Sequence, residues 1–416
     1  MNIACCLGGR VSLLLMAWGI PLAALVSAAW AVETPPYLNQ AFEAAWARQP
    51  EARAAGARRD AVGARRQTAD SWLAEPPSLE VSYKTDQLNR DHGSREFEAG
   101  LAMPLWLPGE RAGQRALAEV EGAALEGQLE AARLRTAGEV REAWWSLALA
   151  RIDLEAAEGR RKNAERLAAD VARRVKAGDL SRADGHQADA SVAGAIAEVA
   201  RARGLLAEAA KRLRALTGEV VRDAVSTTAE PTPAHVVAGD AHPLLKEWSA
   251  QVETARAARK LAGVQSRANP ELRLATTRDR ANAGDAWSQT LTLGVRIPFG
   301  SDSRQRARVA TAAAEETEAE SRLAVERERV AAGIDAARQR EESARAWLAA
   351  AEQRARLANE TRGFFEKSFR LGETDLPTRM RIEGEAAEAE RDAARARVEL
   401  AASVSALRQA MGLLPE

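Results

Sequence analysis

The chain repeats itself at a spacing of 194 residues, and this repeat limits the folds open to it. Pro50 and Pro77 lie 27 residues apart, as do Pro243 and Pro270. Gly100-Leu101-Ala102-Met103-Pro104 corresponds to Gly294-Val295-Arg296-Ile297-Pro298, and Val175-Lys176-Ala177-Gly178 to Phe369-Arg370-Leu371-Gly372, each with a shift of 194. The period is far longer than a solenoid unit. It predicts two copies of one structural half, side by side.

The first segment has the grammar of a secretory signal. Arg10 supplies the positive charge, Val11 to Ala29 is apolar, and Ala29-Trp30-Ala31 is a small-x-small cleavage site. Residues 1–31 are therefore expected to be removed, leaving Val32 as the first mature residue. Cys5 and Cys6 leave with that segment, so neither a disulfide nor a thiolate metal site is expected in the mature chain. The whole chain carries 59 basic and 59 acidic residues, which argues against a nucleic-acid partner. No later stretch reaches 18 uninterrupted apolar residues. If the mature chain enters a membrane, it must do so as strands, and a Gram-negative outer membrane suits that combination.

Most of the mature sequence is rich in Ala, Arg, Glu and Leu, as long helices are. Four segments break this with period-two alternation. Leu79, Val81 and Tyr83 alternate with polar residues, as do Phe97, Ala99, Leu101 and Met103; Leu272, Leu274 and Thr276 form a weaker third set, and Trp287, Leu291, Leu293, Val295 and Ile297 the fourth. These predict one hairpin per repeat, at about 79–105 and 271–298. Length and one-sided apolarity suit membrane strands. Tyr83, Phe97, Trp106, Trp287 and Phe299 fall where an interfacial aromatic girdle would lie.

Helices are predicted at about 42–74, 109–176 and 180–217 in the first repeat (32–217), spanning roughly 50, 100 and 57 Å. The second repeat (241–416) predicts 243–268, 301–370 and 376–412, at roughly 39, 105 and 55 Å. In each repeat the two shorter helices together match the long one, so they are expected end to end beside an antiparallel partner. Val140, Trp144, Leu147, Arg151 and Leu154, and Leu400, Val404, Leu407 and Met411, step at coiled-coil spacing. Gly178 and Gly372 are expected to cap helices at tight turns. Pro104 and Pro298 mark strand-to-helix joints, since neither can continue a ladder. Residues 218–240 read as a linker that could form a small lateral domain.

No phosphate loop, nucleophile elbow or paired-histidine motif is present, so neither an enzyme nor a cofactor is expected. His92, His186, His235 and His242 are scattered. Carboxylates alternate with arginine at helical spacing, as on a solvated face. The polar interest lies at the two turns. Arg173, Arg174, Lys176, Asp179 and Asp184 surround Gly178, and Arg370, Glu373, Asp375, Arg379, Arg381 and Glu383 surround Gly372. If the bundle is a tube, these residues ring its far mouth, either holding it shut through ion pairs or docking a partner. Helix capping is the plainer role for any one of them.

Taken together, the duplicated Pro-to-Pro helix, Pro-Leu-Trp-Leu-Pro-Gly-Glu-Arg at 104–111, and Phe-Arg-Leu-Gly-Glu-Thr-Asp-Leu at 369–376 with its weaker copy at 175–180 resemble the TolC-type outer-membrane efflux factors. The resemblance runs from Phe42 to Leu414, and the Gly-Glu-Thr-Asp-Leu turn points toward the heavy-metal efflux, CzcC-like branch. It implies a mainly α fold with a membrane β-barrel: a homotrimer with twelve strands in outer-membrane lipid and a periplasmic helical tunnel. It also implies a passive exit duct, served by a periplasmic adaptor and an inner-membrane pump, with the resistance-nodulation-division type first among pumps. Metal cations and drugs are both candidate substrates. The adaptor would meet the helical tips, at Lys176, Gly178, Asp179, Leu180, Arg370, Gly372, Glu373 and Leu376. The family's tip aspartates are replaced here by Thr378 and Arg381, so a mixed-charge gate of Asp375, Arg379, Arg381 and Glu383 is expected instead. Two other readings stay open at this point: the channel of a type I secretion system, and a soluble periplasmic coiled-coil scaffold.

Overall fold

The computed structural model describes residues 38–89, 91–218, 227–233, 241–299 and 302–416. The expected signal segment 1–31, His235 and most of the linker lie outside these. Among the described residues seven helices and four strands follow in the order α1 (Leu38–Trp46), α2 (Pro50–Asp70), β1 (Ser78–Thr85), β2 (Arg95–Pro104), α3 (Glu110–Ala177), α4 (Arg182–Thr217), α5 (Pro243–Val264), β3 (Glu271–Arg280), β4 (Ser288–Arg296), α6 (Asp302–Arg370) and α7 (Leu376–Ala410). Among the described residues no helix is long and apolar enough to cross a membrane.

One expectation fails at the start. The single helix predicted over 42–74 is two helices, because Gln49 is extended (ψ 139°) ahead of Pro50. A residue before proline is pushed out of the helical region, and Pro50 then opens the next helix at its first position. This helix also stops at Asp70, where Ser71 turns extended.

The four strands form one antiparallel sheet in the order β1-β2-β3-β4, so the two hairpins pair with each other through β2 and β3. The register places Leu79, Val81 and Tyr83 opposite Leu101, Ala99 and Phe97. It continues through Leu274, Thr276 and Arg278 on β3 to Leu293, Leu291 and Gln289 on β4. Since successive residues point to opposite faces, one face is apolar over most of its length. Glu80, Ser82, Glu98, Arg273, Thr277, Thr290 and Thr292 occupy the other. On that polar face Arg273 reaches Glu80 across β2, and Lys84 bonds Glu96 at 2.8 Å. Among the described residues the edges β1 and β4 have no partner strand.

The helices form a layer of columns. Helices α1, α2 and α4 pack on α3, and α5 and α7 pack between α3 and α6. At 1.5 Å per residue α3 and α6 are each about 100 Å long. The largest core lies midway, where Phe42, Trp144, Val140, Leu213 and Val398 bring α1, α3, α4 and α7 together. A second cluster at the far end joins Val171, Ala188, Phe369 and Leu376.

The described piece of the linker is pinned in this middle region. Glu230 is buried and accepts two bonds from Arg141, at 3.0 and 2.7 Å, with Arg408 Nε 3.2 Å away. Arg408 also donates to the Pro231 carbonyl at 2.9 Å, and Arg141 to the Leu413 carbonyl at 2.9 Å. Two buried cations sharing one buried carboxylate thus tie linker, α3, α7 and the C-terminal residues together.

Candidate functional site

The two turns at the far end are built alike, residue for residue at the 194 spacing. Gly178 (φ 88°) and Gly372 (φ 80°) both take the left-handed conformation that glycine adopts without penalty. Asp179 N–H donates to the Arg174 carbonyl at 2.9 Å, and Glu373 N–H to the Ser368 carbonyl at 3.0 Å. The next helices are then capped in parallel. Ser181 accepts from Asp184 N–H at 3.2 Å in a capping box, and Asp375 accepts from Thr378 N–H at 3.2 Å. The bonds to Thr378 hold the Asp375 carboxyl below its usual range.

These turns sort the tip candidates. Lys176, Gly178, Asp179, Arg370, Gly372 and Glu373 are exposed. Leu180 is half-buried, and Leu376 is buried in the tip cluster with Val171 and Phe369. Leu376 therefore belongs to the core rather than to a contact surface. Leu371, which no periodicity marks, is instead the large apolar side chain left exposed at the apex.

The gate candidates divide in the same way. Glu383 is the hub. It lies 3.3 Å from Arg379 and 3.8 Å from Arg362, and accepts from Asn163 Nδ2 at 2.9 Å. Asn163 is on α3, Arg362 on α6, and Glu383 and Arg379 on α7, so this cluster joins both repeats. Arg174 makes a second tie: its guanidinium stacks 4.6 Å over the Phe369 ring and donates to the Phe369 carbonyl at 3.0 Å. A groove of about 750 Å³ runs between α3, α6 and α7 past Asn163, Arg362, Arg379 and Glu383. Asp375 is occupied as a helix cap, and Arg381 pairs with Glu385 at 2.6 Å on the surface. Neither joins the hub. Asn163 and Arg362 do, although only a three-dimensional fold brings positions 163, 362 and 383 together.

At the other end, the aromatic candidates fall at the two ends of the sheet. Tyr83, Phe97 and Trp287 form a row beside the hairpin loops, with ring centroids 4.6 and 5.9 Å apart. Phe299 lies at the helix end and is 93% exposed. Trp106 turns inward, donating from Nε1 to the Ser71 carbonyl at 3.1 Å. Trp72, in the connection from α2 to β1, is 90% exposed at that end instead. A single tryptophan outside any alternating run carries no sequence signal.

The joint between sheet and helices is itself organised. Pro104 closes β2, and its carbonyl accepts from Ala74 N–H at 3.1 Å. Pro298 follows β4. Glu110, buried at the first position of α3, accepts from Leu107 N–H at 3.0 Å, Gln265 at 2.8 Å and Asn269 at 2.7 Å. A carboxylate at a helix N-terminus also meets the positive end of the helix dipole. Among the described residues no group of three or more His, Cys, Asp or Glu could hold a metal ion.

An exposed one-faced apolar sheet continued by paired helices about 100 Å long defines the class: an outer-membrane channel fold. Residues 41–219 match the family described as outer membrane efflux protein. Solved structures extend the likeness to both halves. They include CusC, described in connection with transmembrane channel formation (TM-score 0.76, 15% identity, covering 91% of this chain and 93% of that one). The outer membrane protein VceC of Vibrio cholerae is similar too (0.72, 16%, 90% and 96%). So is the CmeC outer membrane channel of Campylobacter jejuni (0.73, 16%, 97% and 94%). No curated protein matches the chain in sequence.

Proposed function

We propose that the protein is the passive outer-membrane exit duct of a tripartite efflux system. The sheet carries the reading. Leu79, Val81, Leu291 and Leu293 are 71–75% exposed on a single face. A soluble scaffold would leave that face in water at about 25 cal/mol for each Å², whereas lipid covers it. Seven residue steps along β2 lead from Phe97 to Pro104, about 24 Å of strand, close to the apolar band of outer-membrane barrels.

An open four-stranded sheet cannot stand in lipid with unpaired edges. We therefore assign the free edges β1 and β4 to neighbouring copies, so that three chains close a twelve-stranded barrel. The polar face then lines the lumen, and the helical layers continue as a periplasmic tunnel. The exposed turn residues Lys176, Asp179, Arg370, Leu371 and Glu373 would meet a periplasmic adaptor that leads to an inner-membrane pump. A pump of the resistance-nodulation-division type, and metal cations or drugs as cargo, remain part of this proposal. The Glu383 hub and the Arg174–Phe369 tie hold the mouth closed by fastening the second repeat's turn to α3.

The test is fractionation and crosslinking in a Gram-negative host. The duct reading expects the protein in the outer-membrane fraction as a trimer, with β1 of one copy crosslinking to β4 of the next through paired cysteines at Leu79 and Leu293. Recovery as a soluble monomer would sink it.

A further inference from the structure

At the loop end of the sheet, three arginines share the apolar face, and among the described residues none has a carboxylate partner. Arg95 and Arg280 stand directly opposite each other across β2 and β3, and Arg278 stands opposite Phe97. The guanidinium groups of Arg278 and Arg280 each lie 5.1 Å from the Trp287 ring centroid. Arg280 Nε donates to the Gly93 carbonyl at 3.2 Å, while Arg95 Nε is buried with no partner. Nearby acids are turned away or engaged elsewhere, although Asp86 Oδ1 has no hydrogen-bond partner. Glu96, Glu98 and Asp279 have the opposite parity and project from the polar face, where Lys84 takes Glu96. Asp86 accepts from His92 N–H at 2.8 Å, and Asp285 from Asn282 N–H at 2.9 Å.

Like charges placed directly opposite in a sheet repel. The Trp287 ring attracts the two guanidinium groups, but stacking leaves N–H edges free, and these suit the oxygens of a phosphate. Aromatic side chains beside cations, at the rim of an apolar band, are the composition of a membrane interface. The three arginines also lie on the two central strands, so pairing through β1 and β4 leaves them uncovered. They stand at the end of the sheet remote from the helices.

We infer that Arg95, Arg278 and Arg280 bind the phosphate-bearing headgroup of an anionic membrane lipid in the leaflet remote from the helical body. Tyr83, Phe97 and Trp287 lie beside the glycolipid or acyl portion at the boundary. The site rests on the reading that this sheet spans the membrane. Its ligand class is a phosphorylated lipid, held by charge and by fixed guanidinium geometry.

The experiment is native mass spectrometry of the detergent-solubilised full chain. It is titrated separately with diphosphorylated lipid A, its dephosphorylated form, a zwitterionic phospholipid and inorganic phosphate. The unaltered protein is expected to retain the diphosphorylated lipid at least tenfold more tightly than the R95Q/R278Q/R280Q variant and than it retains the dephosphorylated form. The lysine variant R95K/R278K/R280K is expected to fall between, since it keeps charge but loses the planar fork. Should the triple glutamine variant misfold, R278Q alone, changing the most exposed of the three, carries the comparison with a smaller loss. Equal retention by variant and parent, or of both lipid A forms, would overturn the inference. Displacement by inorganic phosphate at the lipid's own concentration would overturn it too, making the site one for free anions. Failure of the unaltered chain to insert into membranes would defeat the duct reading instead, which separates the two.

Discussion

At the residue scale, two buried groups have defined energetic roles. Glu230 is the shared counter-charge of Arg141 and Arg408, whose side chains are each 4% exposed. Removing Glu230 strands Arg141 in a low dielectric and leaves Arg408 only the exposed Glu416, 2.8 Å away, and breaking a buried pair in this way costs about 3–5 kcal/mol. Glu230→Ala is therefore expected to lower the denaturant midpoint with an unchanged slope, while Glu230→Gln loses less. An unaltered midpoint in Glu230→Ala would show that water reaches the arginines. His242 caps α5, its Nδ1 accepting from Leu244 N–H at 3.2 Å. Burial pushes its pKa below the ordinary histidine value, partly offset by a bond with the Ala410 backbone. The native state thus holds the neutral form while the unfolded chain takes up a proton near pH 6.5. Stability is full above that pH and falls as the pH drops below it toward the lower native pKa. Tm measured from pH 7.5 to 5 should decline for the parent. Its slope should flatten in His242→Asn, which keeps a capping side chain.

At the element scale, alternation made the sheet legible and capping made the turns legible. Leu79 to Tyr83 and Leu291 to Val295 announce strands because a sheet with one face in lipid requires period two. The apolar face also supplies a test. Leu293→Arg places a charge in the centre of β4 and is expected to cost about 2–4 kcal/mol in the bilayer, read as reduced heat resistance of the assembled protein. The same change at Thr292, on the polar face, should be tolerated. Equal effects would mean that the faces are misassigned. The helix broken at Pro50 was harder to foresee, because the flanking sequence is helical on both sides and one proline at a first position ends nothing by itself. Trp106 leaves its expected place to Trp72 for a similar reason: a connection's path decides which indole faces out.

At the scale of the whole molecule, the proposed closure of the mouth rests on contacts between repeats. Glu383→Gln is expected to raise single-channel conductance in planar bilayers, since it weakens both ion pairs to α6 and α7 while keeping a partner for Asn163. Asp375→Asn should leave conductance unchanged, because Asp375 caps α7 and touches neither repeat's partner. The opposite pattern would return the gate to the turn itself.

The sequence alone determined the duplication, the two hairpins, the long helices and the matched turns at Gly178 and Gly372. Each of these depends on interactions within a few residues or on a periodic pattern, and the chain carries such patterns openly. Only the tertiary structure decided that β2 and β3 join the hairpins and that Leu376 is core. It alone decided that Glu383 meets Asn163 and Arg362, and that Arg95 faces Arg280. These pairings join residues from 21 to 220 positions apart. Pairing across such separations is set by how faces and charges fit once the columns pack, and a linear pattern of Ala, Arg and Glu, nearly uniform along the helices, offers many partners of equal chemistry and no means of choosing among them.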